Sequence, residues 1–204
     1  MPSDLILSRI TFDGSDRRAR HALASRERLH AIVEAALDAG GSVKTDARRL
    51  WRLDHTRRGL VLYTLADAAP DMTDLQDRLG ACQVESKPYT LPRLLGQGDM
   101  LRLTVSVNAT KSIHGSRVPL AMDELGPWFR DRLERSGLTP LDVRVSDCVD
   151  WRFGRHGRTV TLRAAGLAAV VRVADPAKAG LLLTDGVGRA KGYGLGMVCP
   201  TRVA

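Results

Sequence analysis

The chain has 204 residues, with 31 Lys and Arg against 23 Asp and Glu and a net charge of +8. That length fits one large domain or two small ones, and a hydrophobic fraction of 44% belongs to folded chains rather than disordered ones. No apolar run approaches the roughly 18 residues of a membrane helix, the N-terminal apolar stretch is too short for a secretory leader, and aromatics at 4% are too few to stack the successive bases of a single strand.

Taken in chain order, residues 4–12 (DLILSRITF) alternate apolar and polar as a strand does. Asp13, Gly14, Ser15 and Asp16 break it, and Arg17, Arg18, Arg20 and His21 read as a basic loop. Ser25 is placed to cap a helix running to about residue 39, with Leu29, Val33, Ala36 and Leu37 on one face and Gly40-Gly41 as its stop. Residues 50–53 and 60–65 read as two strands around a turn, 71–79 as a short helix and 82–86 as a last strand. Strand, helix, strand, strand, helix, strand is the split βαβ order of a ferredoxin-like domain.

Residues 87–98 hold two prolines and two glycines without a period and are taken as a linker. The segment 100–108 alternates strongly, 111–117 is a basic turn, and 123–136 is a helix with Leu125, Phe129 and Leu133 inward. Strand material follows at 143–151 and 159–173; the second stretch is long and contains Gly166, so a hairpin or bend is expected in it. A helix over 175–183, with Asp175 as N-cap and Pro176 at its first position, precedes a loop and a last strand at 195–199. The second half is thus a second ferredoxin-like unit, giving an α+β chain with domains at 1–90 and 98–204.

Charge is unevenly divided. Residues 1–98 carry 15 bases and 13 acids, residues 99–204 carry 16 and 10. An Arg-rich basic balance points to a polyanion, of which nucleic acid is the commonest. Cys82, Cys148 and Cys199 are far apart and odd in number, without C-x-x-C spacing, which argues against a zinc site or a disulfide framework and for reduced thiols in a cytoplasmic protein.

Residues 186–200, GVGRAKGYGLGMVCP, are the most distinctive stretch: five glycines in the first eleven residues, with Arg189, Lys191 and Tyr193 between them. Glycines let a backbone approach another surface closely and leave N–H groups free for phosphate oxygens. The stretch follows a helix, and its spacing is neither a dinucleotide fingerprint nor a Walker A loop.

Several blocks in order make the chain resemble a known family. They are LILSRITF, the capped helix ALASRERLHAIVEAAL with its single histidine, LWRL at 50–53, LRLTVSVNATKS with its Asn-x-x-Lys turn, GSRVPL, the helix with Trp128, and GVGRAKGYGLGMVCP. Together they resemble the CasE-type CRISPR repeat endoribonucleases of type I-E Cascade, over nearly the whole chain. The resemblance implies two tandem ferredoxin-like domains of the RAMP type. It implies a metal-independent cut in CRISPR precursor RNA at the 3′ base of the repeat stem-loop, without a cofactor, by 2′-OH attack on the adjacent phosphate. The mature guide RNA then stays bound and the protein joins the other Cascade subunits; no membrane is involved. A non-cleaving hairpin-RNA-binding subunit of such a complex is the alternative.

The residues suit that chemistry. The 2′-OH must lose a proton, the 5′-oxygen must gain one, and the phosphorane charge must be stabilised. An imidazole near pKa 6.5 serves either proton role, and Lys and Arg serve the charge. The resemblance places the family's helix histidine at His30. Family members often carry a tyrosine three residues earlier; here that residue is Glu27. Glu27 is taken as the second catalytic candidate, orienting His30 across one helical turn, or else as a carboxylate that favours the positive helix N-terminus. His21, His55, His114 and His156 are the other histidines, of which His21 and His114 lie in basic surroundings.

RNA contacts are expected from three basic zones, read mostly through phosphates and shape. These are Arg17, Arg18 and Arg20 with Arg26 and Arg28; Lys111 with Arg117; and Gly186 and Gly188 with Arg189 and Lys191. Arg155 and Arg158 are a further pair, at a hairpin tip near Trp151. Arg48 and Arg49 are read as plain surface. His30, the Lys111 turn and the glycine-rich loop are expected to face one cleft.

Overall fold

The computed structural model describes residues 4–43, 49–56, 59–155 and 157–203. His156, Arg48 and the Arg155 side chain, among the residues singled out above, lie outside the described part. Two compact units emerge. The first takes the chain to Tyr89 together with Phe153–Val160 and Gly192–Gly194; the second takes the remainder.

In the first unit the order is β1 (Ile6–Phe12), α1 (Arg17–Leu23), α2 (Arg26–Ala39), β2 (Leu50–Thr56), β3 (Gly59–Ala66), α3 (Met72–Leu79) and β4 (Cys82–Pro88). The strands form one antiparallel sheet in the order β2-β3-β1-β4, with Ile10 opposite both Leu62 and Val84. Alternation along β1 puts Ile10 and Phe12 inward and Arg9 outward. The α2 stripe Leu29, Val33, Ala36 and Leu37 repeats at helical spacing and is buried in the same core as Ile10, Leu62, Leu75 and Leu79.

Residues 17–23 are a helix, not the expected basic loop. Asp16 accepts a hydrogen bond from the Arg18 N–H and caps it, while Ala19 and Ala22 bury its one apolar face. Ser25 does occupy the N-cap of α2, but its side chain makes no capping bond.

In the second unit the order is β5 (Met100–Val107), β6 (Thr110–Ile113), β7 (Ser116–Pro119), α4 (Met122–Arg135), β8 (Leu138–Arg155) and β9 (Arg158–Val173), whose residues 153–160 belong to the first unit, then α5 (Pro176–Asp185) and β10 (Cys199–Arg202). The main sheet runs β10-β5-β9-β8, the same 4-1-3-2 arrangement as in the first unit. Both units are therefore split βαβ folds, the second with a β6–β7 hairpin inserted after its first strand. The basic turn at 111–117 is that hairpin, with His114 and Gly115 at positive φ in its tip.

The expected bend at Gly166 is absent. β9 runs unbroken, with Gly166 opposite Ser106, and the residue is glycine because a Cβ there would collide with Asp147 and Ser146. The last strand begins at Cys199, four residues later than expected. Before it, the Gly196 N–H bonds to Ser106 O at 2.6 Å and the Val187 N–H to Gly196 O at 2.8 Å. Among the described residues no helix is long and apolar enough to cross a membrane.

Candidate active site and nucleic-acid interface

His30 sits on α2 next to the buried Leu29, at the margin of the apolar stripe. Its side chain is 29% exposed, while Nδ1 is itself buried without a hydrogen bond. One turn on, Glu34 Oε1 lies 3.9 Å from Nδ1, an ion-pair distance once the imidazole is charged. The other oxygen of Glu34 accepts from Arg49 Nη1 at 2.9 Å. Arg49 Nη2 reaches Asp38 Oδ1 at 2.7 Å and the Ser42 carbonyl at 3.0 Å. Arg49 is thus no plain surface residue: its side chain is only 8% exposed. Burial works against its charge, and the hydrogen bonds to Asp38 and Glu34 outweigh that and hold the guanidinium above its usual value. Glu27, one turn before His30, is half-buried.

Part of the glycine-rich stretch closes the other side of the imidazole. Trp51, fully buried on β2, donates from Nε1 to the Gly192 carbonyl at 3.1 Å. The Tyr193 ring then lies 5.8 Å from the His30 ring, tilted by 59°, and 4.9 Å from Phe153. Of the cleft expected at the sequence level, the structure brings His30 and residues 192–194 together in the first unit. Lys111 belongs to the second unit, where its ammonium pairs with Glu124. That bond, followed by the Ala121 N–H, holds the Glu124 carboxyl below its usual range.

The first basic zone is a surface. Arg17, Arg18 and Arg28, with His21, Asp77 and Arg78, line an open cleft of about 570 Å³. Arg20 is exposed beside it, Arg18 stays within 3.5 Å of Asp16, and Arg28 donates to the His21 carbonyl at 3.3 Å. Arg26 is half-buried, and burial pushes its guanidinium below the usual value.

Arg117 is exposed on β7, and Arg158 is exposed at the β8–β9 tip. Gly186, at φ +68°, ends α5, and Gly188 follows at φ +79°. Arg189 is exposed and forms an isolated bridge with Asn108. Lys191 serves the fold: its Nζ donates to the Asp185 carbonyl at 2.6 Å and the Gly186 carbonyl at 3.2 Å, neutralising the C-terminal end of α5. His55 and His114 are exposed.

Sequence reasoning missed Glu34, Arg49, Trp51 and Phe153 as neighbours of the site. Only Glu34 carried a local signal, its i,i+4 spacing from His30.

The profile of the family described as CRISPR associated protein matches residues 5–199. The CRISPR-associated endoribonuclease Cse3 of Thermus thermophilus is 27% identical over 212 residues, covering 94% of this chain and 97% of Cse3. The structure of Thermus thermophilus Cse3 bound to an RNA representing a pre-cleavage complex is 26% identical, with a TM-score of 0.84 over 97% of this chain and 99% of that one. The CRISPR-associated protein Cas6e of Escherichia coli K-12 shares the fold at 18% identity, with a TM-score of 0.74 over 97% and 100% of the two chains.

Proposed function

We propose, for a chain that belongs to the CRISPR associated protein family, that it is the endoribonuclease that processes CRISPR precursor RNA at the 3′ base of the repeat stem-loop. The observation that carries the reading is His30: a partly exposed imidazole on the first long helix, its Nδ1 buried beside a carboxylate. It is set in a fold shared over nearly its whole length with an RNA-bound Cse3.

His30 exchanges the proton with the reacting RNA oxygens, and Glu27 stands one turn away as the second candidate. The 2′-oxygen attacks the adjacent phosphorus, the 5′-oxygen leaves with a proton, and a 2′,3′-cyclic phosphate results. Each step is a proton transfer or a charge stabilisation that imidazole and guanidinium groups perform themselves, so the reaction needs no metal and no cofactor. Residues 1–90 form the domain carrying the histidine, and residues 98–204 the domain carrying the basic hairpin and the glycine-rich loop. The residues we assign to RNA contact are Arg17, Arg18, Arg20, Arg26 and Arg28; Lys111 and Arg117; Arg155 and Arg158; and Gly186, Gly188, Arg189 and Lys191. The product RNA stays bound, and the protein works in the cytoplasm with the other Cascade subunits.

The experiment is incubation of a repeat hairpin RNA with the protein in EDTA, in parallel with the same RNA carrying a 2′-deoxy residue at the scissile nucleotide. Cutting of the first and none of the second is expected. Cutting of the deoxy substrate makes water the nucleophile and sinks the mechanism. Binding without cutting of either makes the protein a hairpin holder.

Affinity is expected to fall steeply with salt. Each phosphate interaction removed should flatten the slope of log K against log salt by roughly 0.7–0.9. Arg189→Ala and Arg28→Ala are each expected to do so by about one such step in a filter-binding series. An unchanged slope removes that residue from the RNA interface.

A further inference from the structure

We propose that Glu34, held by Arg49, is the positioning residue of His30, and that it decides which imidazole nitrogen meets the RNA. The inference rests on the reading of His30 as the proton-transfer group.

The geometry is asymmetric in a useful way. Arg49 takes Oε2 of Glu34 at 2.9 Å and leaves Oε1 turned to His30 Nδ1 at 3.9 Å. Arg49 is in turn fixed by Asp38 and the Ser42 carbonyl, and it is buried, so the Glu34 carboxylate is anchored rather than free to swing into solvent. Nδ1 is buried, yet the ring as a whole is 29% exposed. Of the two ring nitrogens, that leaves Nε2 to meet an RNA oxygen.

A neutral imidazole carries its proton on one nitrogen, and a neighbouring carboxylate selects the one that faces it. Glu34 accordingly holds the proton on Nδ1 and presents the Nε2 lone pair outward, the arrangement that base catalysis at the 2′-OH requires. When Nε2 takes that proton, the charge formed on the ring lies against Glu34 and is stabilised there.

Glu34 is the carboxylate at ion-pair distance from Nδ1. Tyr193 packs its ring on the imidazole, and Gly192 contributes backbone alone; on α2 itself Arg26 and Glu27 lie on the turn before.

The test reads the tautomer directly. With ¹⁵N-labelled histidine, the imidazole shifts of His30 in the full-length protein should report Nδ1–H as the main neutral form. In Glu34→Ala they should move to the Nε2–H form that free imidazole favours. In the same variant, single-turnover cutting of the repeat hairpin should fall about 10- to 100-fold with hairpin Kd within about threefold of wild type. Glu34→Gln has a single acceptor oxygen, which Arg49 claims, so its NH₂ faces Nδ1; it should lose the Nδ1–H form and the rate as Glu34→Ala does, and it serves if Glu34→Ala does not fold.

A wild-type tautomer and rate in Glu34→Ala overturn the proposal. If His30→Ala cuts normally, the reading of His30 fails instead, and the tautomer shift in Glu34→Ala still stands or falls by itself.

Discussion

In His30→Ala, cutting of a repeat hairpin should fall by about 10²–10⁴, while hairpin affinity stays within a few-fold of wild type. The split follows from where the binding energy resides. Arg17, Arg18 and Arg28 line an exposed cationic cleft, and Arg117, Arg158 and Arg189 are exposed as well; each phosphate they meet adds a salt-dependent increment to affinity. One imidazole, part of it turned into the protein toward Glu34, makes at most a single ground-state contact. Its contribution lies in the transition state, where a positioned proton transfer replaces one to bulk water. Single-turnover rates and filter binding on the same preparation separate the two. A variant that binds poorly and, once saturated, cuts at the wild-type rate places His30 in RNA binding. A variant that cuts and binds like wild type moves the chemistry to another residue, with His21 and His114 next.

The arrangement of that site was only partly legible in the sequence. What repeats locally was visible: the β1 alternation, the Leu29–Val33–Ala36–Leu37 stripe and the Asp175–Pro176 start of α5 all became the elements they signalled. So did the element order of both split βαβ units, because each hydrophobic period is decided within a few residues.

The α1 helix was hidden because four of its seven residues, RRARHAL, are Arg or His, and its apolar face is two alanines. Arg49 was hidden for a different reason. A lone arginine carries no mark of burial, and its partners Glu34 and Asp38 come from a helix across residues 44–48. Trp51 and Gly192 meet across 141 positions, a separation no local pattern records. Gly166 misled because glycine marks a bend and also marks room for a neighbouring side chain, and only the β8 partner tells the two apart.

That long-range contact gives the second large effect. Gly194→Ala should destabilise the protein by about 2–5 kcal/mol and abolish most cutting with it. Gly194 has φ +80°, where an L side chain is strained by about 1–2 kcal/mol. Its added Cβ would also stand 2.5–2.9 Å from three ring carbons of Trp51. The indole is fully buried and tied through Nε1 to Gly192, so it has no free direction in which to yield. Overpacking of this kind costs about 1–3 kcal/mol more. For a chain of this size the total corresponds to a fall in Tm of roughly 4–20 °C.

Relief has one route, displacement of residues 192–194, and that carries Tyr193 away from His30. Gly192→Ala is the control. Gly192 lacks the positive φ, and its Cβ would meet His30 at 3.4–3.8 Å, ordinary contact, so its melting temperature should stay within a few degrees of wild type. Thermal unfolding of the two variants side by side decides it. Equal stability of Gly194→Ala and wild type would mean that the glycine-rich segment is not seated on Trp51, and the packing of Tyr193 on His30 would go with it.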